Sequence, residues 1–243
     1  MCCLRLKRMM QGAGFVYVLL LLGAVCPSLF TRNQTEEEAP GTAYANASAY
    51  VADAMTEKPK IAITFDDGPS TVFTPQLLDG LKERGVKATF FLIGQNIEKE
   101  GASEIVKRMY DEGHLIGNHT YHHVEITKVS NEQAYQEIML TNEAIQNITG
   151  EEVQFMRPPF GLWQKALEQK IHVLPVMWSI DPLDWATENV DEIVNKVVTE
   201  AQENDIILLH DCYDSSVKAA LRIIDLLQAE GYEFVTVDEL MLD

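Results

Sequence analysis

The chain has 243 residues, 47% of them hydrophobic and 23% charged, an ordinary globular balance with enough length for one domain and a sizeable core. Four basic residues and no acidic one fall within the first 32 positions, which leaves 15 basic against 37 acidic residues, a net charge of −22, for the remainder. So acidic a domain excludes nucleic acid and anionic membrane as partners reached through its overall field and is compatible with a neutral or cationic one.

Residues 1–30 read as a targeting segment. Arg5, Lys7 and Arg8 precede an uncharged run, Gly12 to Phe30, the pattern of a signal peptide or of an uncleaved anchor with its basic end in the cytoplasm. The run sits at the short edge of the roughly 17–25 residues that span a bilayer. The small-x-small site Ala43-Tyr44-Ala45 lies late for signal cleavage, and Val25 is bulky where a lipoprotein box wants a small residue. An uncleaved anchor is therefore preferred to a cleaved signal, and a buried core helix is disfavoured because the run has no amphipathic period. Residues 31–59, polar and rich in Ala, Thr, Asn and Glu, read as a linker. Of the cysteines, only Cys212 lies beyond the anchor, so the domain at 60–243 can form no internal disulfide. An exported domain of that kind points to a bacterial surface protein.

From Ile61 onward, short apolar runs alternate with amphipathic stretches. The runs are IAITF, ATFFLI, HLIGN, VQFMR, VLPVMWS, DIILLH and EFVTV. Helices are predicted over Thr74–Arg84, Ala102–Asp111, Asn131–Ile148, Val190–Glu203 and Ser215–Ala229. Ser130 with Gln133 forms a capping box, and Gly85, Gly113, Gly150 and Gly231 stand where helices end. About seven such alternations predict an α/β fold with a parallel sheet and helices outside it, either an open sheet or a barrel. Pro175 inside its run predicts an irregular strand, hence a distorted barrel if the sheet closes.

Active sites in such folds gather at the carboxyl ends of the strands. Asp66 and Asp67 end the first, His119 to His123 the third, Arg157 the fourth, Asp181 the fifth, and His210-Asp211 the sixth. His119 and His123 are four apart, so one helical turn would bring both imidazoles to one side. His122, three from His119, is the less suited competitor. Two histidines and a carboxylate from another strand end make a site for Zn²⁺ or a similar divalent ion acting on water. Such an ion would relieve the repulsion between two adjacent aspartates, one binding it and the other left as a base.

The motifs TFDDGP, HTYHH, RPPFG, DPLDW and LLH, in this order, resemble those of the polysaccharide deacetylase family, carbohydrate esterase family 4 or the NodB-homology domain, over about Lys60 to Asp243. The resemblance implies a distorted (β/α) barrel and gives each group a role. Asp67, His119 and His123 would bind the metal, zinc first, with cobalt or nickel suiting similar ligands. Asp66 would be the general base, held ionised by Arg157. The backbone N–H of Phe160, which stands where the family often has Tyr, would face the developing oxyanion. His210 would protonate the leaving amine, its pKa raised by a carboxylate, with Asp181 the first candidate and Asp184 the second. Leu208, on the same side of its strand as His210, would floor an acetyl pocket or serve as ordinary core. Trp185 would pack on the catalytic histidine or line the sugar groove.

The implied reaction is hydrolysis of N-acetyl groups on a polysaccharide, with N-acetylglucosamine of peptidoglycan the first substrate and chitin oligomers or an exopolysaccharide next. Some relatives acting on N-acetylmuramic acid lack the second aspartate of the first motif, which is present here as Asp67. An O-acetyl esterase on xylan or another glycan shares the same group set. An inactive carbohydrate-binding domain is opposed by the presence of base, ligands and acid together. The expected place is the bacterial cell surface, with membrane contact through the N-terminal segment only, or the exterior if that segment is cleaved.

Overall fold

The computed structural model describes residues 58–242. The segment at 1–30 and nearly all of the linker lie outside them. Among the described residues no helix is long and apolar enough to cross a membrane.

Each apolar run forms a strand: β1 (Lys60–Gly68), β2 (Thr89–Leu92), β3 (Leu115–Asn118), β4 (Phe155–Met156), β5 (Leu174–Pro175), β6 (Ile206–His210) and β7 (Glu233–Val235). The helices are α1 (Thr74–Arg84), the short α2 (Gly94–Ile97), α3 (Ala102–Asp111), α4 (Asn131–Thr149), α5 (Val190–Glu200), α6 (Asp214–Ala229) and α7 (Val237–Leu242). Local chemistry sets their ends. The Ser130 hydroxyl accepts the Gln133 N–H at the start of α4, and Gly85 and Gly150 take left-handed conformations at the ends of α1 and α4. α5 stops short of Glu203 because the Asp205 carboxylate accepts the Gln202 N–H at 2.7 Å and turns the chain toward β6.

All strand pairs are parallel, in the order β5-β4-β3-β2-β1-β6, with β7 on the start of β1. Proline has no N–H for the ladder, and β5 is only two residues long. The chain then leaves β4 and meets β6 through a single bridge, Ile180 to Ile207, with the Leu208 N–H donating to the Ile180 carbonyl at 2.9 Å. The result is a curled parallel sheet fastened at this bridge and by the bonds of Ser179 and Ile180 to Ile206 beside it, which is the form the expected distortion takes.

Alternation along β1 and β6 separates two environments. Ile61, Ile63 and Phe65 of β1 and Ile207 and Leu209 of β6 join the main core under the helices. Each such side chain contributes about 1.5–3 kcal/mol by leaving water. The intervening residues face the concave side, where Ala62 packs with Phe91, Phe155, Val176 and Val237. Thr64 stands opposite Leu208, and Asp66 opposite His210. The sheet thus delivers its polar groups to the carboxyl end of the concave side.

Candidate active site

On a regular strand, Asp66 and Asp67 would face opposite sides, which is how their division of labour is read from sequence. The structure differs. Asp66 pairs with Phe91 and Gly68 with Leu92, so Asp67 is the extra residue of a bulge, with φ 70°. A bulge re-aims a side chain, and aspartate tolerates the left-handed region better than most residues. Asn96 secures the turn by donating to the Asp67 carbonyl at 2.7 Å. Asp67 Oδ1 thereby lies 3.5 Å from His119 Nε2 and 3.4 Å from His123 Nε2, while Asp66 Oδ2 lies 3.7 Å from the same His119 nitrogen.

The two histidines meet without the helical turn that their spacing suggests. Residues 119–125 are a loop in which Thr120 (φ 61°) and His123 (φ 56°) are left-handed, and the two rings lie 4.9 Å apart. His119 Nδ1 donates to the Arg157 carbonyl at 2.6 Å, which leaves the Nε2 lone pair aimed at Asp67. Burial pushes the His119 imidazole down to about 3, so the ring is neutral, as a metal ligand must be. His122 is turned the other way, onto Glu137.

This set fits a divalent cation. Asp67 Oδ1 is buried without a hydrogen-bond partner, an expensive state for a carboxylate oxygen unless an ion is shared there. The ligand atoms of Asp67, His119 and His123 all lie within 4.8 Å of one another. Ligands about 2.1 Å from a tetrahedral centre stand about 3.4 Å apart, close to the Asp67–histidine separations given above.

Arg157 is fully buried. Its guanidinium donates to Asp66 Oδ1 at 2.8 Å, to Thr64 Oγ1 at 2.6 Å, and to the Val176 and Met177 carbonyls at 3.2 and 3.1 Å. The Phe91 ring centroid lies 4.4 Å from it and that of Trp178 5.6 Å. Burial raises the Asp66 carboxyl above its ordinary value, and the Arg157 charge and hydrogen bond oppose that rise.

His210 has a different carboxylate from the first expected. Its Nδ1 and its backbone N–H both donate to Asp184, each at 2.8 Å, and the Ser216 hydroxyl donates to the same carboxylate at 2.6 Å. Asp181 instead accepts the Leu183 N–H at 2.8 Å. β5 ends at Pro175 and the chain returns to the sheet at the isolated Ile180 bridge, so Asp181 lies in the turn that follows and closes it locally, and three residues on the turn delivers Asp184. Burial by itself would lower the His210 imidazole, but the hydrogen bond and charge of Asp184, with Asp67 and Asp66 beyond, hold it up to about 9.

Phe160, at φ 62°, sets its half-exposed ring edge-on to His123 at 5.1 Å between centroids. Leu208 is buried and by alternation shares the concave side with His210. Trp185 follows Asp184 directly and is half exposed, whereas the ring nearest His210 among the described aromatic pairs is that of Tyr213, at 6.4 Å.

Sequence reasoning places Asp211 at the end of the sixth strand without giving it a role, and it passes over Thr74. Asp211 is buried beside His210, accepts the Thr74 hydroxyl at 2.5 Å, and is pushed up to about 7 by burial. Thr74 in turn accepts the Ser70 N–H at 2.7 Å. A side chain at Gly68 would start 2.6 Å from the Asp211 carboxylate, so the glycine after Asp67 is there for close approach. The signal available beforehand was the second charge in HDC, next to the histidine at a buried strand's end.

A curled parallel sheet with a two-histidine, one-aspartate cation site, flanked by a buried carboxylate–arginine pair and a histidine–carboxylate pair, defines the class of protein. The profile of the polysaccharide deacetylase family matches residues 53–177, half of the chain, and the chain belongs to that family. A peptidoglycan-N-acetylglucosamine deacetylase of Listeria monocytogenes serotype 1/2a is 39% identical over 190 residues, covering 78% of this chain and 40% of the relative. The chain thus spans about two fifths of the length of that relative. The structure of the peptidoglycan deacetylase PdaC from Bacillus subtilis aligns with a TM-score of 0.73 at 37% identity, covering 76% of this chain and 91% of that one. A family 4 acetyl xylan esterase from Clostridium thermocellum, solved with a cobalt ion, aligns with a TM-score of 0.70 at 34% identity, covering 75% and 90%.

Proposed function

We propose that this chain is a metal-dependent hydrolase that removes N-acetyl groups from N-acetylglucosamine units of a cell-surface polysaccharide, peptidoglycan foremost. The observation that carries this reading is the pairing of Asp66 with His210 across adjacent strands, one fixed by Arg157 and the other by Asp184. A divalent ion held by Asp67, His119 and His123, zinc first and cobalt or nickel next, supplies when bound a Lewis-acidic charge that polarises an acyl oxygen and acidifies water. Asp66, anchored by Arg157, takes a proton from the attacking water as its oxygen bonds to the acyl carbon. The Phe160 N–H donates to the oxygen on which negative charge develops. His210 keeps Nδ1 on Asp184 and gives the Nε2 proton to the leaving nitrogen, so acetate and a free amine depart without a covalent enzyme intermediate. Leu208 floors the acetyl pocket, and the exposed rings of Trp185 and Phe160 offer apolar faces to the sugar.

The Listeria and Bacillus relatives support peptidoglycan as substrate, and the Clostridium esterase supports O-acetyl ester hydrolysis as the second reading. The His210–Asp184 pair meets the demand of the amide, whose amine departs only when protonated. A catalytic unit at 60–243, a linker at 31–59 and a signal peptide or anchor at 1–30, as read from the sequence, support a reaction at the bacterial cell surface, or outside the cell if the segment is cleaved. Acetate release from N-acetylated peptidoglycan, chitooligosaccharides and acetylated xylan tests the reading. Release from the first two, abolished by chelation and restored by Zn²⁺, is expected. Release from xylan alone selects the esterase.

A further inference from the structure

Glu137 belongs to none of the groups assigned above, yet it is a buried carboxylate on α4, only 6% exposed. Burying a charge without a strong partner is costly. Its partner is the loop that carries the two histidine ligands. Glu137 Oε2 accepts the His122 backbone N–H at 2.7 Å, and Oε1 lies 2.8 Å from His122 Nδ1.

That loop is strained, with Thr120 and His123 left-handed on either side of the clamped residue. Three backbone bonds hold its first half from the sheet side: the His119 N–H to the Leu92 carbonyl, and the Gly94 and Gln95 N–H groups to the carbonyls of Thr120 and Tyr121. Asn118 steadies the same half by accepting the Thr120 N–H at 2.7 Å while donating to α4 at the Ile138 carbonyl. Between Tyr121 and the ligand His123, Glu137 grips both the backbone and the ring of His122.

We propose that Glu137 is a positioning residue for the metal site: it fixes the Tyr121–His122 peptide, one residue before the ligand His123, and keeps the His122 ring from competing for the ion. This rests on Asp67, His119 and His123 being the ligands. Outer-shell partners bonded to the ligands themselves are worth about 10–100-fold in metal affinity, and Glu137, which acts one residue away from His123, belongs at the lower end of that range.

The test is Zn²⁺ affinity of the full chain, measured by competition with a chromophoric chelator, beside thermal unfolding of the metal-free protein. Glu137→Leu, similar in volume but without acceptors, is expected to bind Zn²⁺ about 10-fold more weakly. Glu137→Gln is expected to recover most of that loss, because its amide oxygen accepts the His122 N–H and its NH₂ donates to Nδ1 of the other ring tautomer. Glu137→Asp keeps the charge but is one methylene too short to span both groups, and serves if the Leu variant does not fold. A lowered unfolding temperature with Zn²⁺ affinity equal to the parent in the Leu or Asp variant overturns the proposal. Asp67→Asn is the control. If it abolishes binding while the Glu137 variants match the parent, the ligand set stands and the positioning role falls. If it too binds like the parent, the ligand assignment falls as well.

Discussion

Two ion pairs sit side by side at the ends of β1 and β6 with their roles reversed. In the proposed reaction the anion of Asp66–Arg157 is the reacting group and the cation supports it. In His210–Asp184 the cation reacts and the anion supports. Burial pushes both reacting groups toward neutrality, and the partner decides how far. Asp66 stays above its ordinary value despite Arg157, whereas Asp184 outweighs burial and holds His210 at about 9. The reason is visible in the contacts. Arg157 divides its hydrogen bonds among Asp66, Thr64 and two carbonyls, whereas the His210 imidazole has its bond to Asp184 and, beyond it, the further negative charges of Asp67 and Asp66.

Asp66→Asn should break the first pair most severely. Acetate release is expected to fall about 10²–10⁴-fold, the range of a lost general base, with Zn²⁺ affinity retained. Loss of Zn²⁺ binding in that variant would instead make Asp66 a ligand. Arg157→Met is next. It leaves a buried carboxylate unpaired, and breaking such a pair costs about 3–5 kcal/mol, read as a lower denaturation midpoint. A midpoint equal to the parent would show that the buried pair contributes nothing.

Asp184→Asn sharpens the second pair through pH. The folded imidazole, at about 9, lies above its ordinary 6.5, so the pair stabilises fully below 6.5 and its contribution is lost as pH rises through about 9. The variant should flatten that dependence in denaturation midpoints and move the alkaline limb of the rate profile to lower pH. Asp181→Ala should have the smallest effect. Removing its bond to the Leu183 N–H is expected to cost about 1 kcal/mol while leaving the alkaline limb in place. A shifted limb would restore Asp181 as the partner of His210.

Much of the fold was legible because its signals are local. The limits of α1 and α3 follow the amphipathic period, and Ser130, Gly85 and Gly150 mark helix ends through bonds spanning three or four residues. Most of the site was legible too, since strand ends in such a fold collect its polar groups and the five motifs carry them. The errors fall where local rules break. Period-two alternation separates Asp66 from Asp67, and helical spacing joins His119 to His123, but a bulge and two left-handed residues overrule both. Asp181 stands nearer the strand end than Asp184, and only the turn it closes shows which of them reaches the histidine.

The sequence by itself determined the order and kind of the elements and the set of chemical groups at the strand ends, because periodicity and capping act within a few residues along the chain. The tertiary structure decided the partners. Asp66 with Arg157 spans 91 positions, Thr74 with Asp211 spans 137, His210 with Asp184 spans 26, and His122 with Glu137 spans 15. Each pairing depends on where a buried charge finds its nearest compensating group once the sheet has curled, and that is a property of the packed interior.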